Sequence, residues 1–127
     1  MSEHPEEQQA APEIEECCPG GPPELGETDT AAADALALFS NFMKAANQPG
    51  LIDARAKKLI AIALSVVQHC EPCLKIHIKS ALSMGITFEE IDEAANLAIA
   101  FGGCTAMMFY KENSAAPRRE AERAARS

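Results

Sequence analysis

Apolar residues recur at helical spacing from about residue 30 onward, and the recurrence breaks at a few marked points. Ala32, Ala35, Leu36, Phe39, Phe42, Met43 and Ala46 form one stripe, which predicts a helix capped at Asp29 or Thr30 and stopped near Asn47 by Gln48-Pro49-Gly50. Asp53 is placed to cap a second helix. Its centre, Leu59 to Val67, is apolar except for Ser65, so it is expected to be buried on nearly all sides. A buried strand is the alternative for such a run, but the length from Asp53 and the interleaved Ala61 and Ala63 favour helix. A third helix from about Glu71 closes at Gly85, a suitable residue after Met84 to leave a helix. Thr87-Phe88-Glu89-Glu90 has the form of a capping box for a fourth. Gly102-Gly103 should break it, with Cys104 and Thr105 opening a fifth, Met-rich helix through Tyr110. Pro117 should interrupt that one and leave Arg118 to Arg126 as a short Ala- and Arg-rich end. Helix follows helix across short connections, so the class is all-α.

Composition agrees. Apolar residues make up 47% of the 127 residues and aromatics only 5%, which favours close-packed helices over a sheet. The net charge of −8 is unevenly spread: nine of the nineteen acidic residues, and none of the eleven Lys and Arg, lie in residues 1–29. Residues 1–28 also hold five of the eight prolines and read as a flexible acidic tail. Residues 29–114 then form the helical domain and 115–127 a C-terminal extension. The near-neutral folded part carries no nucleic-acid footprint. The sequence contains neither a membrane-spanning stretch nor a signal-peptide pattern, so the expected location is cytoplasmic. Five cysteines in a reducing compartment read more readily as redox-active than as a stabilising framework.

The chemistry concentrates in His69-Cys70-Glu71-Pro72-Cys73-Leu74-Lys75-Ile76-His77. On a helix, Cys70, Cys73 and His77 share one stripe, which Leu74, Ile78, Ala81 and Leu82 continue, while Glu71, Lys75, Lys79 and Ser83 fall opposite. A helix N-terminus lowers a cysteine pKa, and Pro72 suits the first turn. Two cysteines at this spacing can close a disulfide and reopen it by exchange. His77 is placed to hold or take a proton near Cys73. A zinc site is one alternative, but zinc wants four ligands and only one ordered pair and one well-placed histidine are present; a buried inert pair is another. Cys17 and Cys18 are either exposed and incidental, or partners for exchange with the pair or for a soft metal or metalloid.

Residues from about 51 to 110 resemble the carboxymuconolactone decarboxylase family, which includes the alkylhydroperoxidase D-like proteins. The likeness rests on the apolar helix Lys58 to Val67 leading into Cys70-Glu-Pro-Cys73-Leu-Lys-Ile-His77. Ala81-Leu82, Gly85 to Ile91, Ala100-Phe-Gly-Gly103 and Ala106-Met107-Met108 follow in order. The resemblance implies a compact all-α bundle assembling into dimers, trimers or hexamers. It implies a thiol peroxidase or disulfide oxidoreductase that reduces hydroperoxides without a cofactor or metal. Cys73 would attack the peroxide, Cys70 would resolve the sulfenate to a Cys70–Cys73 disulfide, and His77 would belong to a proton relay. A dithiol partner, a lipoylated or thioredoxin-like protein, would restore the pair.

Two positions depart from the family pattern. Its relay usually includes a glutamate twelve residues before the first cysteine, where this chain has Lys58, and Pro72 replaces a frequent histidine. A lysine is no carboxylate base, though its charge can lower a nearby thiol pKa. Glu71 and His69 are possible replacements, although Glu71 should point to solvent. Lys58 lies ~18 Å along its helix from Cys70 at ~1.5 Å per residue. It reaches the site only if the motif helix folds back antiparallel, in which case His77 should lie nearest to it; otherwise it turns to solvent beside Lys57. Two other functions compete with the peroxidase: a metal-free decarboxylase acting on a lactone acid, and a non-catalytic thiol- or metalloid-binding module using Cys17, Cys18 and the pair.

Overall fold

The computed structural model describes residues 30–127. The acidic segment 1–28 with Cys17 and Cys18, and the cap expected at Asp29, lie outside the described residues. All regular structure among the described residues is helical: α1 Thr30–Asn47, α2 Ala54–Val67, α3 Glu71–Ser83 and α4 Phe88–Arg126.

The local signals act as expected at most boundaries. The Asp53 carboxylate accepts from the Ala56 amide at 2.7 Å and starts α2. Beyond α3, Gly85 takes φ +80°. The amides of Gly85 and Ile86 then bond back to Leu82 and Ala81 carbonyls at 3.1 and 3.0 Å, a Schellman closure that satisfies the last turn and drives Ile86 into the core. The capping box at α4 is complete. Thr87 Oγ1 accepts from the Glu90 amide, and the Glu90 carboxylate accepts from the Thr87 amide at 2.8 Å.

The break at the two glycines is a fold-back. Gly103 takes φ 72°, ψ −156°, a conformation essentially reserved for glycine. A Cβ on Gly102 would lie 2.7 Å from that of Ala106, so neither position tolerates a side chain easily. A straight helix would hold Asp92 and Arg118 ~39 Å apart at ~1.5 Å per residue. Instead Arg118 Nη2 and Nη1 donate to the Asp92 carboxylate at 2.6 and 3.0 Å. The two arms of α4 therefore lie side by side as a hairpin. Tyr110 donates to Asp92 at 2.5 Å, and the Arg118 guanidinium stacks 4.4 Å above the Phe88 ring.

The core is where α2, α3 and both arms of α4 meet. Ile62, Val66, Leu74, Ile78, Ala81, Ile91 and Ala95 are fully buried there, and each large aliphatic contributes ~1.5–3 kcal/mol on burial.

Two expectations need correction. Helix α2 is not buried all round: Ile62, Ser65 and Val66 face inward, but Ile60, Leu64 and Val67 are 47%, 58% and 38% exposed. Among the described residues α3 and α4 supply most of the cover for α2, and they leave this side of it exposed. Nor does Pro117 end its helix, which runs on through Arg126. Proline forfeits one backbone hydrogen bond there, and the contacts of Arg118 in the next position pin the turn. The apolar stripe of α1 forms but is only partly covered, with Phe39 and Phe42 more than half exposed.

Candidate functional site: a disulfide at a helix start and a buried lysine–histidine pair

The link between α2 and α3 builds the site. Val66 and Leu64 carbonyls hold the His69 and Gln68 amides, and the Ser65 carbonyl accepts from the Cys70 amide at 3.1 Å. His69 completes the reversal in the left-handed region, φ 52°, which costs a non-glycine residue energy and so marks a position fixed by its surroundings. Its ring is exposed but packs edge-on against Phe109 of the second α4 arm, centroids 5.3 Å apart. Cys70 then serves as N-cap of α3, with Pro72 in the first turn.

Cys70 and Cys73 are joined by a disulfide, with Cα atoms 5.2 Å apart. Both are half-buried, neither lost in the core nor open to bulk water. One turn beyond Cys73, on the same face, His77 is buried at 5% exposure. Helix α3 runs back along α2, so His77 passes Lys58, and Lys58 Nζ lies 3.3 Å from His77 Nδ1. Lys58 is itself only 8% exposed. It does not turn to solvent; Lys57 does, capping α1 through the carbonyls of Ala46 and Gln48 at 3.0 and 2.5 Å.

Burial, and then the positive charge of Lys58, push the His77 pKa from 6.5 down to about 4. The imidazole is therefore neutral at physiological pH. Glu71 takes no part in this group. It is exposed and pairs with Lys75 at 2.6 Å along the outer face of α3. Cys104 is an exposed free thiol at the start of the second α4 arm. No group of three or more His, Cys, Asp or Glu able to hold a metal ion is found among the described residues, and no described helix is long and apolar enough to cross a membrane.

Sequence reasoning did not single out the Asp92–Tyr110–Arg118 group. Burial alone would raise the Asp92 pKa, but the hydrogen bonds from Arg118 and Tyr110 outweigh it and hold the carboxyl below its usual value. Burial, and then Asp92, raise the Tyr110 hydroxyl pKa. The one available signal was that a lone tyrosine in a helical protein needs a partner for its hydroxyl.

Residues 33–111 match the model of the carboxymuconolactone decarboxylase family. The chain belongs to that family. A similar, uncharacterized protein of Cupriavidus necator is 35% identical over 86 residues, covering 68% of this chain and 76% of that one. Uncharacterized protein 4 in the cox locus of Paracoccus denitrificans is 40% identical over 70 residues, covering 55% of this chain and 63% of its own length. Among solved structures, a carboxymuconolactone decarboxylase family protein from Legionella pneumophila superposes with a TM-score of 0.60 at 29% identity, over 67% of this chain and 76% of that one. A family member from Thermotoga maritima, described with a possible part in antioxidative response, gives 0.64 at 26% identity, over 73% and 81%. The all-α architecture is thus that of the family, and the disulfide pair lies inside the matched region.

Proposed function

We propose that this protein is a thiol-dependent peroxidase of the alkylhydroperoxidase D-like kind, reducing hydroperoxides through Cys70 and Cys73. The observation that carries the reading is the disulfide at the start of α3 with a buried histidine one turn further along the same face. Cys73 is the attacking thiolate. Its sulfur bonds to one peroxide oxygen, the O–O bond breaks, and the leaving oxygen departs protonated as an alcohol. Cys70 then displaces water from the sulfenate to give the disulfide. Two electrons from a dithiol, carried by a lipoylated or thioredoxin-like protein, reopen it by exchange. That chemistry belongs in the cytoplasm, where such reductants are maintained. The uncovered apolar stripes of α1 and α2 support a homo-oligomer as the working form.

The test is peroxide consumption by the full chain with a panel of dithiol reductants, alongside thiol counts before and after peroxide. Rapid loss of two thiols, with Cys70 and Cys73 linked on mass spectrometry, is the expected result. Cys73→Ser should abolish sulfenate, and Cys70→Ser should let it accumulate on Cys73. Thiols unchanged by peroxide would overturn the peroxidase in favour of the lactone-acid decarboxylase. Metal-dependent protection of the thiols would overturn it in favour of a binding module.

A further inference from the structure

We infer that Lys58 is a positioning residue for the Cys73 chemistry: its ammonium, bound to Nδ1 of His77, fixes the imidazole as the Nε2–H tautomer and makes His77 a proton donor. This rests on the peroxidase reading for its chemistry, but on the Lys58–His77 contact alone for its geometry.

A lysine ammonium has three donors and no acceptor. At 3.3 Å from Lys58 Nζ, Nδ1 of His77 must therefore accept. A neutral imidazole that accepts at Nδ1 carries its hydrogen on Nε2. Burial of His77 and the adjacent charge both keep the ring neutral. A carboxylate at position 58 would do the opposite: it would accept from an Nδ1–H and leave Nε2 bare, a base able to strip a proton from a thiol. The lysine thus reverses the direction in which the histidine can pass a proton.

The reversed relay has definite work to do. Before reaction, a thiolate on Cys73 is stabilised by the Nε2–H group one helical turn away and by the positive charge behind it. As the thiolate attacks the hydroperoxide, the S–O bond forms and the O–O bond breaks. The departing oxygen takes the Nε2 proton while Nδ1 takes one from Lys58 Nζ. Sulfur gives up two electrons and the peroxide bond receives them. The relay resets when Nδ1 returns its proton to the Lys58 amine and Nε2 takes one from solvent, which restores the Nε2–H tautomer. The same Nε2–H can protonate the sulfur released when an incoming dithiol opens the disulfide. In this arrangement proton delivery to a leaving group is built in, and the thiol proton of Cys73 must go elsewhere.

The experiment reads the tautomer directly, by nitrogen-15 NMR of the histidine rings in the reduced full chain at pH 7. His77 should show a protonated Nε2 and an unprotonated Nδ1. Lys58→Arg should keep that pattern, and Lys58→Glu should reverse it. In a Cys70→Ser background, alkylation of Cys73 at pH 7 should slow about tenfold in Lys58→Met, through loss of the nearby positive charge, and recover in Lys58→Arg. A purely structural lysine would move neither readout. An Nδ1–H tautomer in the parent protein, or alkylation in Lys58→Met within twofold of the parent, would overturn the inference. The parent spectrum decides even where a variant fails to fold. A protein that showed the Nε2–H tautomer but consumed no peroxide would sink the peroxidase reading and leave the positioning role standing.

Discussion

Mild acid should destabilise this protein through one residue, His77. In the native state its pKa is about 4, against 6.5 when unfolded. Between those values the unfolded chain binds a proton that the folded chain refuses, so stability rises with pH across that window. The contribution is fully present above 6.5 and is lost as pH falls toward 4. At ~1.4 kcal/mol per pKa unit the whole effect is roughly 3 kcal/mol. Roughly 2 kcal/mol of it should disappear between pH 7 and pH 5. Against a typical domain stability of about 5–15 kcal/mol that is a large fraction. Stopping at pH 5 keeps the carboxylates out of the comparison. Asp92 and Glu90 have lowered native values, so their contributions are present above their unfolded pKa and are lost only in stronger acid. Urea unfolding of the oxidised protein, followed by circular dichroism at one fixed concentration, supplies the measurement. The parent should lose stability from pH 7 to 5, and His77→Gln should lose much less over the same range. Parallel pH curves for the two proteins would refute the argument, because the slope would then belong to other groups.

Two further outcomes follow from the packing. Tyr110→Phe removes a buried hydroxyl that donates to Asp92 at 2.5 Å; it should cost ~1–2 kcal/mol in denaturant unfolding at pH 7, and an unchanged midpoint would show the bond to be dispensable. Light scattering at micromolar concentration should return a mass above the 13.5 kDa of one chain, and Leu64→Glu on the uncovered stripe of α2 should lower it; a monomeric parent would remove the case for assembly.

Much of the fold was legible because its boundaries are written in local chemistry. Asp53, Gly85 and the Thr87/Glu90 pair each satisfy orphan backbone groups within a few residues of themselves, so neighbouring sequence contains both partners. The direction of the proposed site was also legible. A short link between two helices allows them to pack antiparallel, and in that arrangement His77 lies beside Lys58, as observed. What failed depended on partners far away or absent. The apolar run Leu59 to Val67 cannot reveal that the other described helices leave Ile60 and Leu64 exposed. Pro117 looks like a stop until Arg118 is found holding Asp92, twenty-six residues earlier. A 3.6-residue period reports which residues share a face; it does not report what that face meets.

The hairpin of α4 and the site at the start of α3 are mechanically linked. The Gly103 fold-back lays the second arm along the first, and Asp92 fastens it at Tyr110 and Arg118. The residue beside Tyr110 is Phe109, whose ring packs against His69. His69 holds the left-handed turn from which Cys70 enters α3. A non-glycine residue keeps such a conformation only when its surroundings impose it, and here the second arm of α4 supplies part of that constraint. The opposite side of α3 is set by α2, through Ser65 at Cys70 and Lys58 at His77. Two separate elements therefore orient the disulfide and the histidine, and neither lies within the nine-residue motif. The backbone of the site is held by the Ser65 carbonyl and the Phe109 ring, so the role proposed for Lys58 can be tested by substitution at 58 with those backbone contacts left in place.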